Sequence, residues 1–131
     1  MSELKSALER KYPDYTSSAL YFGYMDMTYF AITPPPLKDK KLKIALVYLH
    51  TENRFEYWLA AANRMIQADI IKTLSGKDLL DYRLSTAAPG VDSIIETIIV
   101  DHPDFDDADF LMGMLDKGLA DFSKDMMSLV K

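Results

Sequence analysis

The stretch that decides the fold is Leu42-Lys43-Ile44-Ala45-Leu46-Val47-Tyr48-Leu49. Leu42, Ile44, Leu46 and Tyr48 alternate with Ala45, Val47 and Leu49, so a period of two leaves apolar side chains on both sides, with Lys43 the charged exception. The spacing predicts a strand over 42–50. A strand apolar on both sides is covered on both sides, which calls for helices on each face of its sheet or a second subunit over one of them.

Working outward, Tyr24 to Thr33 is rich in β-branched and aromatic residues and predicts another strand, ended by Pro34-Pro35-Pro36 because proline cannot donate to a ladder. The connection between the two is about eight residues, enough for an antiparallel hairpin and too short for a parallel crossover. Toward the N-terminus, Leu4, Ala7, Leu8 and Tyr12 recur at helical spacing between Ser2 and Pro13, and Asp14 to Phe22 is read as a second helix leaving at Gly23.

Downstream, Asn53 to Leu74 is read as the longest central helix, opened by Asn53 and Glu56 at capping-box spacing and closed by Ser75-Gly76. Its main stripe is Phe55, Trp58, Leu59, Ala62, Met65, Ile66 and Ile70, while Ala60, Ala61, Ala68 and Ile71 leave the opposite side apolar too. Leu79 to Ser85 reads equally as a strand or a helical turn, Ala87-Ala88-Pro89-Gly90 as a turn, and Ile94 to Val100 as a strand. From Asp106 onward Leu111, Met114, Leu115, Leu119, Phe122, Met126 and Leu129 define a final helix of about six turns.

The expected architecture is therefore α+β: an antiparallel sheet of three to four strands with helices packed on it, in the order ααββα(β)βα, over one domain spanning 1–131. A doubly wound nucleotide fold is disfavoured, since Gly23, Gly76, Gly90, Gly113 and Gly118 are spaced neither as G-x-G-x-x-G nor as a P-loop.

Composition narrows function mainly by exclusion. Hydrophobic residues at 49% and charged residues at 27% belong to a folded globule and not to a disordered chain. Lys+Arg 15 against Asp+Glu 20 gives a net charge of −5, which repels polyanions and argues against nucleic acid as a partner. The basic run from Lys38 to Lys43 follows three prolines and reads as a solvated turn. Cysteine is absent, so disulfides, thiolate metal sites and thiol nucleophiles are out. The apolar run Ile44 to Leu49 is too short to span a bilayer, and the charged residues among 2–12 read as mature structure, so a cytoplasmic protein without a membrane partner is expected.

The residues that could carry chemistry are few. His50 and His102 are the two histidines, each following a strand, so a histidine metal site would need carboxylates to complete it. Asp101, Asp104, Asp106, Asp107 and Asp109 lack the glycine and terminal acid of a calcium loop and read as favourable charge at a helix start. Glu56, Asn63 and Gln67, placed on one helix, share an edge of its stripe and could orient a ligand. Asp26 and Glu96 interrupt apolar strands and would form a polar pocket if they met His50, whereas Asp69 falls within the apolar stripe of the helix and calls either for a partner or for emergence from the core.

No serine elbow is present and no catalytic residue is assigned. The dense aromatics from Tyr12 to Phe30 read as core or subunit interface. Two functions follow. The favoured one is a noncatalytic cytoplasmic domain that self-associates as a dimer or binds a partner or small ligand, without a cofactor. The alternative is a small metal-dependent hydrolase using His50 or His102 with nearby carboxylates.

Four segments carry a resemblance: Tyr24 to Phe30, Leu42 to Val47 with His50, Phe55 to Leu59 with Asn63, Arg64 and Gln67, and Pro103 to Asp106. From about residue 20 onward the chain resembles an uncharacterised bacterial family of small single-domain proteins. That resemblance implies one compact domain and brings no activity, cofactor or catalytic residue.

Overall fold

The computed structural model describes residues 2–22, 26–80, 82–85 and 93–130. In chain order they form α1 (Ser2–Lys11), β1 (Thr16–Ser17), β2 (Tyr21–Phe22), β3 (Met27–Thr33), α2 (Pro35–Asp39), β4 (Leu42–Leu49), β5 (Arg54–Ala61), α3 (Arg64–Leu74), β6 (Ser93–Asp101) and α4 (Ala108–Leu129). The strands make one antiparallel sheet with the path β1-β3-β4-β5-β6, and β2 pairs with β3. The α+β class and the antiparallel hairpin hold. The count of three to four strands and the order ααββα(β)βα do not, because this sheet has six strands among the described residues.

The largest difference lies in 53–74. Phe55, Tyr57 and Leu59 are buried toward the helices while Glu56, Trp58 and Ala60 alternate with them, so 54–61 is a strand paired along its whole length with β4. Aromatic side chains at every second position favour a pleated surface, and pairing overrides the helical preference of Ala60 and Ala61. The Asn53/Glu56 capping box is a coincidence of spacing: Asn53 sits at φ 52° in the β4–β5 turn, a backbone region that asparagine tolerates. The true helix starts ten residues later, where the Asn63 side chain accepts from the Ile66 amide at 2.9 Å.

Two smaller readings also change. Residues 14–22 supply the short strands β1 and β2, both on β3, in place of a second helix. The proline-rich connection holds the short helix α2, where proline suits the first turn and Leu37 plugs into the core. Among the described residues of 79–85, one bridge forms, Leu84 to Ile95. Tyr24 and the turns proposed at Gly23 and at Ala87 to Gly90 lie outside the described residues.

The core sits on one side of the sheet. Phe30, Ile32, Ile44, Leu46, Phe55, Tyr57 and Leu59 meet Leu8 of α1, Leu37 of α2, Leu74 of α3 and the Leu111, Leu115, Leu119, Phe122 and Met126 stripe of α4. The Tyr57 hydroxyl donates to the Leu115 carbonyl at 2.7 Å and its ring stacks on Phe122 at 5.9 Å. Helix α4 comes so close here that a Cβ on Gly118 would lie 2.9 Å from Ile99 Cγ2.

Of the two expected covers for 42–49, helices on each face or a second subunit over one of them, the first does not hold within the chain. Ala45 at 7% and Val47 at 1% exposure are buried, yet what seals them is side chains of their own sheet face. Trp58 lies across from Ala45, and Tyr29 from Val47, in the strand register. Of the helices, only the start of α3 borders that face among the described residues.

Candidate functional site

The second face of the sheet holds a cavity of about 350 Å³. Its floor is Ala45, Val47 and Ala60, its walls are Met27, Tyr29 and Trp58, and one end is formed by Lys43 with Asn63, Arg64 and Gln67. The period of two places Lys43, Ala45 and Val47 on this face while Leu42, Ile44 and Leu46 enter the core. The start of α3 supplies the polar end because its cap residue, Asn63, immediately follows Ala62 at the cavity mouth. The volume lies at the lower end of the small-molecule range, and an apolar body with a few convergent polar groups is the usual make-up of such sites.

Each polar residue around the cavity has a defined setting. Asn63 commits Oδ1 to the Ile66 amide, so its NH2 group is the end it can offer. Gln67 is 2% exposed and donates Nε2 to the Ser93 carbonyl at 3.0 Å, while its Oε1 accepts from Arg64 at 3.3 Å. Lys43 is exposed and makes no ion pair among the described residues.

Glu56 is 3% exposed on the same face and does not line the cavity; it fixes a residue that does. Its carboxylate accepts from Trp58 Nε1 at 2.7 Å and from Arg54 Nε at 2.6 Å, which satisfies the buried charge and holds the indole in place. Its proposed partnership with Asn53 as a helix cap does not occur. Glu96, opposite Trp58 in the β5–β6 register, is exposed and accepts a hydrogen bond from Ser93.

His50 and Asp26 meet at the other end of β4, about 23 Å from Lys43 at 3.3 Å per residue. The His50 amide donates to the Asp26 carbonyl at 2.9 Å, and His50 Nε2 lies 2.8 Å from Thr28 Oγ1. The polar pocket of Asp26, Glu96 and His50 is therefore not assembled. His102 sits at φ 53° with Nδ1 2.9 Å from Asp101 Oδ1. Among the described residues no three of His, Asp and Glu come together as a metal-holding group. Asp107 caps α4 by accepting from the Phe110 amide at 3.2 Å, and Asp104 accepts from the Asp106 amide at 3.0 Å, which explains two of the clustered acids locally. Asp69 is exposed on the outer side of α3; the helix does not emerge from the core there, since Ile70 and Ile71 pack against the core and Leu74 is buried in it.

Of the six ligand-lining candidates, Asn63 and Gln67 line the cavity, Glu56 positions a wall residue, and His50, Asp26 and Glu96 stand apart from it. Lys43 and Trp58 escape the sequence reading because a helix over 53–74 hides which residues share a sheet face with Lys43. The alternation of Phe55, Tyr57 and Leu59 was the available signal.

Fold and site together define an antiparallel α+β protein whose helices cover one sheet face and whose other face bears a cavity. The chain belongs to the family described as Domain of unknown function (DUF7000), whose model matches residues 1–130. This agrees with the resemblance to an uncharacterised family and assigns no activity. No curated protein and no solved structure matches the chain. No helix among the described residues is long and apolar enough to cross a membrane.

Proposed function

We propose that the protein is a noncatalytic, single-domain cytoplasmic binding module that takes a small molecule in the cavity of its open sheet face. The observation that carries this reading is the cavity itself: about 350 Å³ of apolar floor and aromatic wall ending in the Lys43 and Asn63 side chains. Trp58, the one tryptophan in the chain, reports occupancy without a label. Titration with 1-octanol shifts Trp58 emission in the unaltered protein, and Ala45→Leu, which adds bulk to the floor, removes the response while the melting temperature stays within a few degrees. An unchanged response in Ala45→Leu refutes the assignment of the cavity.

Self-association is a second reading, supported by Tyr21 at 49% and Ile98 at 51% exposure on the same face. Large exposed apolar residues around a concave patch are a common mark of an interface. A homodimer predicts a concentration-dependent mass in sedimentation equilibrium at micromolar protein; a strict monomer at high micromolar concentration removes it.

A further inference from the structure

We infer that the ligand of this cavity is a small amphipathic anion, a molecule with an apolar body and a single carboxylate; the inference rests on the binding reading above. The cavity has direction. Among the described residues its lining holds Lys43 and Arg64 and no Asp or Glu, although acids outnumber bases in the chain by 20 to 15. Lys43 is exposed, so the preference comes from proximity: a head group bound at the cavity end meets a cation close by, while the acids elsewhere on the protein act through screened solvent.

Two donors are placed to receive the head. Lys43 makes no ion pair among the described residues and stands at the end of the apolar floor. Asn63 spends its carbonyl oxygen on the Ile66 amide, which leaves its NH2 group as a donor whose identity the helix cap dictates. Glu56 and Glu96, acids of the same sheet face, do not cancel this. Glu56 is held by Arg54 and Trp58, and Glu96 lies opposite Trp58 on β6, the strand on the far side of β5 from Lys43. A single lysine with one amide suits a carboxylate better than a phosphate, for which several backbone amides or paired arginines are the common receptor.

Three probes of equal chain length separate the parts of the claim: octanoate, 1-octanol and octylammonium, each titrated against Trp58 fluorescence with the melting temperature as a second readout. Octanoate is expected to bind at least about tenfold tighter than octylammonium, the scale of one charge-assisted contact. Lys43→Met, which keeps the apolar stem at an exposed position, is expected to erase most of the octanoate-to-octylammonium ratio measured within that variant. Equal binding of all three probes overturns the anion preference and leaves the binding reading standing. Binding of none of them overturns both. A preference for octanoate that survives Lys43→Met overturns the assignment of Lys43 as its source.

Discussion

Replacing Glu56 tests how the cavity wall is built. Glu56→Ala removes an acceptor used by both Trp58 Nε1 at 2.7 Å and Arg54 Nε at 2.6 Å. Hydrogen bonds to charged groups contribute about 1.5–3 kcal/mol when buried. The Arg54 side chain is 32% exposed, so water screens its part, and that ion pair is discounted to about 0.5–1 kcal/mol. The indole bond adds about 1.5–2 kcal/mol, for a total near 2–3 kcal/mol and a fall in Tm of about 8–12 °C for a chain of this size. Glu56→Gln keeps one acceptor for the indole and costs about 1 kcal/mol. Urea unfolding followed by Trp58 emission measures both, and the native emission of Glu56→Ala shifts because its indole N–H has lost its partner. A cost below about 0.5 kcal/mol for Glu56→Ala, or equal costs for the two variants, refutes the reasoning.

Two glycines of α4 should respond oppositely to alanine. Gly113→Ala meets nothing within 4 Å and gains about 0.5–1 kcal/mol from helix propensity, whereas Gly118→Ala drives a Cβ against Ile99 and Tyr57 and loses about 1–2 kcal/mol; thermal melts of both give the signs. Asn63→Ala removes the cap of α3 and costs about 1 kcal/mol in urea unfolding, and it also weakens octanoate binding, a pairing that a purely structural cap would not produce. Asp116 predicts acid sensitivity. Its burial pushes the carboxyl up, but hydrogen bonds from Lys11 and Tyr12 outweigh this and hold it below the ordinary 3.8. A depressed folded value means the contribution is present above 3.8 and fades as pH falls through the folded value, so stability drops on acidification below about pH 4. Asp116→Asn flattens that limb by about 1 kcal/mol in pH-dependent melts.

Strong local periodicity made much of the fold legible. The strand at 42–49, the strand near 94–100, the first helix and the last helix all follow from side-chain spacing that only one element satisfies. The error at 53–74 has a definite physical source. Phe55, Trp58, Leu59 and Ala62 fit a helical stripe, Phe55, Tyr57 and Leu59 fit a strand, and a residue pair at capping distance tipped the balance. Only pairing with β4 and β6, which reaches as far as Arg54 with Asp101, resolves it.

The same error displaced the site. Asn63 and Gln67 were found because both readings put them on one helix, one turn apart. Lys43 and Trp58 were not joined, since a strand residue and a residue of a supposed helix have no reason to share a face. The apolar second side of 42–49 is legible in its alternation, but within the chain its cover comes from large neighbours on the same face, Tyr29 and Trp58, which shelter Val47 and Ala45, and not from helices.

In the proposed binding module alternate residues of one strand serve different tasks, Ile44 and Leu46 holding the fold and Ala45 and Val47 facing the ligand. Methyl NMR during an octanoate titration addresses it directly. Saturable shifts are expected at Ala45, Val47 and Ala60 with Ile44, Leu46 and Leu59 unmoved; shifts centred on the latter three, or at none of the six, rule out a ligand on this face.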